Sequence, residues 1–424
     1  MKFVLASYGT RGDVELCAAV GRELQRRGHE ARMAVAPNLV DFVESVGLAA
    51  VGYGPDTQSA QETDALLNFW RDFPRSLWRI QDLLRTRRET RELFIQSWGE
   101  MSATLTSLAD GADLLFTDMV FEQQAANVAE HYDIPLATLH FLPIRVNGQL
   151  IPILPPSLTR FALRALEWVH WRETKKVEDA QRRDLGLPKA NTPSPRRITQ
   201  RGSLEIQAYD EVCFPGLAAE WAQWNGRRPF VGTLTLQLPT DVDDEVTSWI
   251  AAGTPPIYFG FGSVPVGSSA DTLSMIAGAC AQLGERALVC SGWTDFSGLP
   301  QFDHVKVVSA VNFAVALPAC RAVVHHGGTG TTAAGLRAGV PTLILWSAPD
   351  QQIWGAQIKR LKVGSSRRFS ASTRESLVAD LRRILAPQYA ARAREIATQM
   401  TKPATSAATA ADRVENFARL RGAG

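Results

Sequence analysis

Residues 322–340, AVVHHGGTGTTAAGLRAGV, decide the fold of this chain. The apolar run Ala322–His326 predicts a buried strand, Gly327–Thr331 predicts a glycine-rich turn, and Leu336 lies on the helix that follows. A strand, a tight turn and a helix in this order are the repeating unit of a parallel sheet with right-handed crossovers. The stretch therefore predicts an α/β domain.

The glycine-rich turn has the character of an anion site. A helix N-terminus offers unpaired backbone N–H groups and a positive partial charge, and glycines let a phosphate approach the backbone. His326 adds a side chain that can donate a hydrogen bond to an anion. A plain strand-to-helix turn with threonine caps is the alternative interpretation.

Other chemistries fit this turn poorly. No Lys follows the glycines, so it is not a P-loop. His325 and His326 are adjacent on a strand and point to opposite faces, which argues against a metal site, and none is predicted.

The same pattern surrounds this turn in the C-terminal half. Further strands are predicted at Ile257–Phe261, Ala287–Cys290, Val305–Val308 and Thr342–Trp346. A helix is predicted over Leu273–Leu283, and a later one is marked by Leu377, Leu381 and Ile384.

The N-terminal half repeats the alternation. After the strand Phe3–Ser7, a turn at Gly9–Asp13 leads into a helix that ends near Gly28. Further predicted elements are the helices Leu39–Val46 and Glu122–His131 and the strands Ala31–Ala36, Leu48–Tyr53, Asp113–Thr117 and Pro135–Leu139. Gly9 and Gly12 do not form G-x-G-x-x-G, and no acidic residue ends the second strand, so a nicotinamide cofactor is not predicted.

Two domains are expected for 424 residues. We predict an N-terminal domain at residues 1–215, a proline-marked linker at 216–245 and a C-terminal domain at 246–385. Helices at 386–424 are expected to pack back towards the N-terminal domain. Both domains should be Rossmann-like, doubly wound parallel sheets that face each other across a cleft, where small ligands bind.

Bulk properties exclude several classes of protein. A net charge of +2 does not indicate a nucleic-acid partner. Five cysteines at wide spacing, without C-x-x-C, predict free thiols in a reducing compartment. The N-terminal apolar stretch is too short for a signal peptide, and no run approaches the roughly 18 residues that span a bilayer. We therefore expect a cytoplasmic protein.

At this level of detail the sequence resembles family 1 glycosyltransferases of the GT-B fold, especially bacterial enzymes that glycosylate glycopeptides, glycopeptidolipids and sterols. Residues 323–341 resemble the donor-site signature of that family. The resemblance continues through the whole chain, in order, at Gly9–Val14, Tyr258–Ser263, Ser291–Trp293 and Asp350-Gln351.

The resemblance implies a role for each matching residue. Asp13 would be the general base, Thr10 would face the donor diphosphate from the opposite domain, and Gly12 would also be donor-binding. The donor diphosphate would be held by His326, Ser263 and the backbone of Gly328, Thr329, Gly330 and Thr331. Trp293 and Val311 would lie near the nucleobase, and Asp350 and Gln351 would bind the sugar hydroxyls.

The implied reaction is an inverting, metal-independent transfer of a hexose from a UDP- or dTDP-sugar to a hydroxyl group, with no cofactor besides this co-substrate. Two departures from the family pattern bear on its details: Gln352 replaces a common Pro, and residues 308–313 lack a Pro. A sugar-nucleotide epimerase and a non-catalytic sugar-nucleotide-binding module are the alternative functions. Asp13 and Asp350 have an alternative role as helix caps, and Trp293 as a core aromatic.

The acceptor is expected to be hydrophobic, such as a lipid, lipopeptide, sterol or polyketide, because segments 55–100 and 141–172 are rich in Trp and Phe. The helix predicted over Leu158–Lys176 mixes large apolar and basic residues. Peripheral contact with a membrane surface and a packed helix with a solvated basic face are both open interpretations. Residues 186–200 are predicted to be a surface loop.

Overall fold

The computed structural model describes residues 1–57, 97–151, 154–224, 226–262, 268–292, 294, 296 and 298–422. By their contacts, these residues form two compact units. Unit 1 draws on Met1–Glu211, Pro215–Leu236 and Pro403–Gly424, and unit 2 on Val212–Phe214 and Gln237–Lys402. Each unit is built around one parallel sheet.

The sheet of unit 1 has six parallel strands in the order β3-β2-β1-β4-β5-β6. The strands are β1 (Lys2–Ser7), β2 (Glu30–Val35), β3 (Ala49–Gly52), β4 (Leu114–Asp118), β5 (Leu136–His140) and β6 (Leu204–Gln207). The central strands β4 and β5 are buried along their whole length, as expected where helices cover both faces of a parallel sheet.

The described part of unit 1 has seven α-helices before residue 237. They are α1 (Arg11–Arg26), α2 (Val40–Ser45), α3 (residues 97–109 of the described part), α4 (Glu122–His131), α5 (Pro156–Asp184), α6 (Ser194–Gln200) and α7 (Leu217–Glu220). In α1, Val14, Cys17 and Leu24 recur at helical spacing and are buried against the sheet. The chain leaves this helix through Gly28, whose φ of +85° favours glycine.

Unit 2 repeats this architecture. Its strands are β7 (Ile257–Gly260), β8 (Ala287–Cys290), β9 (Val305–Val308), β10 (Ala322–His325), β11 (Thr342–Trp346) and β12 (Gly364–Arg368). They are parallel and lie in the order β12-β11-β10-β7-β8-β9. Numbered within the unit, this is the same doubly wound order as in unit 1.

The helices of unit 2 are α8 (Asp243–Ala251), α9 (Ser269–Leu283), α10 (Phe313–Ala316), α11 (Thr329–Ala338), α12 (Pro349–Leu361), α13 (Arg374–Ile384) and α14 (Pro387–Ala397). One face of the sheet packs Phe259, Val289 and Val324 against α9 and α13, and the other packs Tyr258, Leu288 and Val323 against α8 and α10.

The last helix, α15 (Pro403–Gly422), belongs to unit 1. It packs on α1, and Arg27 donates to Asp412 at 2.6 Å and to Glu415 at 3.0 Å. His29 also pairs with Glu415. Unit 1 is therefore assembled from stretches of chain nearly 400 positions apart.

The predicted α/β architecture of two doubly wound parallel sheets is confirmed, and most predicted strands agree with the observed ones within two residues. The loop predicted over 186–200 is wrong at its end, because Ser194–Gln200 is a helix that buries Ser194 and Ile198. The strands β6 and β12 were not predicted. Most of the Trp- and Phe-rich segment 55–100 lies outside the described residues.

A buried ionic cluster holds the β4, β5 and β6 side of unit 1 together. The Arg145 guanidinium donates two hydrogen bonds to Glu122, at 2.5 and 2.9 Å, and a third to Glu205. All three side chains are buried. Burial alone would raise the pKa of Glu122, but the charge of Arg145 and a hydrogen bond with His140 lower it to about 2.

Arg145→Leu should lower the free energy of unfolding by about 3–5 kcal/mol, because it leaves the buried Glu122 carboxylate without its arginine counter-charge and leaves Glu205 with Arg228 alone. Denaturant unfolding at neutral pH measures this. Arg160→Ala, which breaks a half-exposed ion pair with Glu220, is the control and should cost much less.

The same experiment has a pH dependence. Since the pKa of Glu122 is depressed from 4.5 to about 2, its stabilisation is complete above pH 4.5 and is lost as pH falls towards 2. The difference between wild type and Arg145→Leu should therefore narrow over this range. A difference that stays constant with pH would contradict the role of the carboxylates.

Candidate functional site

In each sheet, the strand order reverses between the first and the fourth strand of that unit. This switch point lies between β1 and β4 in unit 1 and between β7 and β10 in unit 2. Ligands of doubly wound sheets bind in the crevice beyond the carboxyl ends of the strands at such a point. The predicted residues Asp13 and His326 follow β1 and β10, so each lies at the switch point of its own unit.

The glycine-rich turn after β10 is shaped by His325. The buried Nδ1 atom of His325 accepts a hydrogen bond from the Gly327 N–H at 3.0 Å. Gly327 has a φ of +101°, and a Cβ there would lie 2.9 Å from Ile344 Cγ2 and 3.0 Å from Gln351 Cβ. Only glycine fits this position, and the turn delivers the chain into the N-terminus of α11.

The His326 ring lies between two glycines. A Cβ on Gly262 would approach its Cε1 to 2.7 Å, and a Cβ on Gly328 would approach its Nε2 to 2.6 Å. Burial lowers the pKa of His326 to about 4, with the backbone of Gly260 opposing this weakly, so the ring is neutral at pH 7. His326 keeps some solvent exposure, but its buried Nδ1 atom has no partner at hydrogen-bond geometry. A buried polar atom in this state is typical of a ligand site.

Two hydrogen bonds from side chains hold the first turn of α11 in place. The buried Trp354 donates from Nε1 to Thr329 Oγ1 at 2.9 Å, and Thr332 Oγ1 donates to the Gly328 carbonyl at 2.8 Å. The backbone of Gly328–Thr331 is thereby fixed at the switch point, where a helix N-terminus can bind an anion. Sequence reasoning missed Trp354 and the positioning role of His325. The sequence signal that could have found Trp354 is a large aromatic residue three positions after Gln351.

Asp350 and Gln351 lie in the first turn of α12. Gln351 is buried, and its Oε1 accepts from the backbone N–H groups of Ser347 at 2.8 Å and Ala348 at 3.1 Å. Gln351 therefore caps α12, and the Asp350 carboxylate, exposed in the same turn, also accepts from its own backbone N–H and from that of Gln351. The side chain of Gln351 also lies against Gly327, which joins this pair to the glycine-rich turn.

The remaining donor-side predictions lie after β7, β8 and β9. Val311 is half-buried between β9 and α10 and packs on the core. Ser263 and Trp293 lie outside the described residues. Their described neighbours are in close contact, because a Cβ on Gly292 would lie 2.3 Å from the Gly262 carbonyl oxygen. The loops after β7, β8 and β10 therefore converge.

Asp13 occupies the matching place in unit 1. Its Oδ2 accepts from the Thr10 backbone N–H at 2.8 Å and from the Thr10 hydroxyl at 2.9 Å. Thr10 is the N-cap of α1 and Asp13 is the third helical residue, which forms a capping box. The interpretation of Asp13 as the N-cap itself is corrected, although it does support the cap. Gly12 is exposed in the same turn.

A second carboxylate, not predicted, lies at the end of β4. The buried Asp118 accepts from Ser7 Oγ at 2.5 Å, from the Val120 N–H at 2.8 Å and from the Tyr8 N–H at 3.2 Å. Burial, and then the negative charge of Asp13, raise the pKa of Asp118 to about 7. The available signal was an acidic residue at the carboxyl end of the fourth strand.

Unit 1 also has a cavity of about 180 Å³ beyond the carboxyl ends of β4 and β5. It is lined by both polar and apolar side chains of α4, α5 and the adjoining loops: Met119, Val120, Glu122, Gln123, Ile144, Arg145, Leu163, Leu166, Glu167, His170, Trp171, Ser194 and Pro195. A cavity of about 150 Å³ holds benzene, so this one suits a single ring. The buried Trp171 Nε1 has no hydrogen-bond partner in the structure.

The described residues lack two features that would bear on function. They contain no cluster of three or more side chains arranged to bind a metal ion. They also contain no helix with the length and apolar character that crossing a bilayer needs.

Comparison with known protein families gives two matches in chain order. Residues 3–112 match the glycosyltransferase family 28 N-terminal domain. Residues 262–416 match the C-terminal domain of proteins like erythromycin biosynthesis protein CIII.

Relatives match along the whole chain. An uncharacterized glycosyltransferase of Mycobacterium tuberculosis is 61% identical over 421 residues, which are 99% of this chain and of that protein. Another, of Mycobacterium leprae, is 60% identical and covers 99% of this chain and 97% of its own length. A sterol 3-beta-glucosyltransferase of Arabidopsis thaliana is 27% identical over 86% of this chain and 58% of its own.

Solved structures share the fold. The glycotransferase of kitacinnamycin has a TM-score of 0.71 at 18% identity and covers 98% of each chain. The glycosyltransferase VinC in complex with dTDP has a TM-score of 0.66 at 19% identity over 100% of each chain. The spinosyn rhamnosyltransferase SpnG, complexed with thymidine diphosphate, has a TM-score of 0.64 at 18% identity, over 96% of this chain and 99% of its own.

Gly9 and Gly12 form a matched pair for testing the Asp13 arrangement. A Cβ on Gly9 would lie 2.5 Å from Asp13 Oδ2, so Gly9→Ala should expel the carboxylate from the capping box and cost roughly 0.5–2 kcal/mol. A Cβ on Gly12 would meet nothing nearer than 3.6 Å, so Gly12→Ala should be neutral or stabilising. Denaturant unfolding of both variants measures this, and equal effects would refute the geometry.

Proposed function

The chain belongs to the family 1 glycosyltransferases of the GT-B fold, and from this premise we propose that it moves a hexose from a nucleoside-diphosphate sugar to a hydroxyl of a hydrophobic acceptor. We infer inversion at the anomeric carbon and no need for a metal ion. The observation that carries the proposal is the neutral His326 ring, held between Gly262 and Gly328 at the N-terminus of α11.

The donor diphosphate binds at the first turn of α11. Backbone N–H groups of Gly328, Thr329, Gly330 and Thr331 and the positive end of the helix attract it, and the glycines permit close approach. His326 donates as a neutral imidazole, because burial keeps its pKa at about 4. These fixed donors also stabilise the charge that grows on the leaving diphosphate, which supports transfer without a metal ion.

The sugar and the base extend to either side of the diphosphate. The exposed Asp350 carboxylate accepts hydrogen bonds from sugar hydroxyls, while Gln351 donates from its amide nitrogen, since its Oε1 caps α12. Val311 contacts the nucleobase, and Ser263 and Trp293 keep the roles that the family resemblance implies. The dTDP complexes of VinC and SpnG support a dTDP- or UDP-sugar donor.

Asp13 is the general base. The acceptor oxygen attacks the anomeric carbon, the bond from that carbon to the diphosphate breaks, and Asp13 takes the hydroxyl proton. The N-terminus of α1 and the two Thr10 donors favour the ionised carboxylate. Thr10 and Gly12 also serve the diphosphate from the side of unit 1, as the resemblance implies.

The acceptor is held by unit 1, with one of its rings in the cavity beside α5. The walls include Ile144 and Leu163, which suit an apolar ring. The unpaired Trp171 N–H and the Glu167 carboxylate, whose pKa is raised by burial, can hydrogen-bond a polar substituent on that ring. This mixture supports an amphiphilic acceptor such as a lipid, lipopeptide, sterol or polyketide.

His326→Ala should weaken dTDP and UDP binding by roughly 10- to 150-fold, the equivalent of a lost charged hydrogen bond of roughly 1.5–3 kcal/mol. Titration calorimetry measures the affinity. His304→Ala is the matched control, because His304 lies in unit 2 and pairs with the Ala277 carbonyl. Unchanged affinity in His326→Ala would remove the observation on which the donor site rests.

Asp13→Asn should lower kcat by roughly 10²–10⁴-fold with little change in nucleotide affinity or melting temperature. Asn still accepts the Thr10 hydrogen bonds but cannot take the acceptor proton. Release of free nucleoside diphosphate, measured with a nucleotide-sugar and acceptor panel in the presence of EDTA, gives the rate.

Asp13→Ala separates catalysis from capping, because it removes both. It should lose activity and stability together, whereas Asp13→Asn should lose activity alone. A fully active Asp13→Asn enzyme would show that Asp13 only caps α1.

A further inference from the structure

The helix α5 is packed with its apolar side outward. Its buried residues are mostly polar, namely Thr159, Leu163, Thr174, Glu178, Gln181 and Arg182. The large apolar residues of its first half are exposed instead: Leu158 by 54%, Phe161 by 71%, Leu166 by 63%, Trp168 by 53% and Val169 by 42%. We call these five residues the apolar face of α5.

This face is a concentrated feature of the surface. Five of the eleven large hydrophobic side chains that are exposed in the described part of the chain belong to it. Single exposed apolar residues are ordinary, but a contiguous set on one helix marks an interaction site. The packed-helix interpretation of the sequence does not account for it, because the residues that pack are the polar ones.

The outward orientation is firmly held by the second half of α5. Arg182 pairs with Glu130 at 2.9 Å and donates to Asn127 at 2.8 Å. Gln181 Oε1 accepts from Asn127 at 2.9 Å and from Trp98 at 3.2 Å. Rotating the helix to bury Phe161 would separate these polar groups from their partners and leave buried polar groups unpaired. The apolar face is therefore a stable property of the fold.

The charges next to the apolar face select its partner. Between residues 156 and 176, three of the four exposed charged side chains are cationic, Arg164, Arg172 and Lys176, and Glu173 is the fourth. The Arg172 guanidinium lies 5.4 Å from the Trp168 ring centre, at the border of the apolar face. Aromatic and basic residues in this arrangement fit the interface of an anionic bilayer.

The apolar face is also continuous with the cavity of unit 1. Leu166 belongs to the face and lines the cavity, and the exposed Val120 lines it from the opposite side. We propose that α5 docks unit 1 onto an anionic membrane surface, so that a membrane-dissolved compound enters the cavity directly from the bilayer. Docking itself is independent of the proposed transfer reaction.

The test is sedimentation of the full-length protein with vesicles made of equal parts phosphatidylcholine and phosphatidylglycerol. The wild type should sediment with these vesicles, and less with phosphatidylcholine alone. Phe161→Asp and Trp168→Asp should each weaken binding roughly tenfold or more, since they place a charge on the docking face. Val315→Asp, at an equally exposed residue of α10 in unit 2, is the matched control and should bind like the wild type.

A second variant leaves the apolar face intact. Arg172→Glu together with Lys176→Glu should weaken binding by about fivefold or more per cation, and added salt should reduce the difference. Circular dichroism and dTDP affinity, measured on every variant, report on folding and on the donor site. Failure of the wild type to bind either dTDP or UDP would refute the proposed function without affecting the vesicle result.

Three outcomes would overturn the docking proposal. The wild type would stay in solution with anionic vesicles, or Val315→Asp would lose binding as strongly as Phe161→Asp. In the third, the wild type would be a dimer without lipid and Phe161→Asp a monomer, which would assign the face to a second copy of the chain.

Discussion

Close packing around the His326 ring is the constraint on which the proposed donor site of unit 2 depends. Gly262 and Gly328 enclose the ring so closely that neither can carry a Cβ, and Gly327 fits only against Gln351 and Ile344. Because these contacts join the loops after β7, β10 and β11, the N-terminus of α11 has one position. His325 and Trp354 fix that position from within the core. A ligand then meets donors that need no rearrangement.

In unit 1, the corresponding positions at the switch point are occupied by carboxylates. Gly9 makes room for Asp13, and Asp118 lies buried at the end of the neighbouring strand β4. Both groups occur where the strand order reverses, as His326 does in unit 2. The same topology therefore positions the proposed hydrogen-bond donor to the diphosphate in one unit and the proposed base in the other. What differs is the chemistry of the residues that follow the first and fourth strands.

The sequence predicted the two sheets, the glycine-rich turn and the turn that carries Asp13, because each depends on residues close together in the chain. It did not reveal β6, because the acidic Glu205 is not typical of a buried strand. Glu205 is buried there because Arg145, from another segment of the chain, neutralises its charge. It missed β12, GSSRR, because that strand is placed by pairing with β11 and has no apolar pattern. Local sequence patterns also could not predict which face of α5 is exposed, because contacts with Asn127, Glu130 and Trp98 determine it.

The C-terminal helix α15 has a consequence for biosynthesis. Its contacts through Arg27, Asp412 and Glu415 belong to unit 1, although unit 2 is translated in between. During translation, unit 1 therefore cannot complete its fold until α15 has been synthesised. One flank of α1 stays uncovered until then. The later-translated unit has all its strands available before then. Chain order and order of completion are thus reversed, and a chaperone that shields the uncovered flank of α1 would act during this interval.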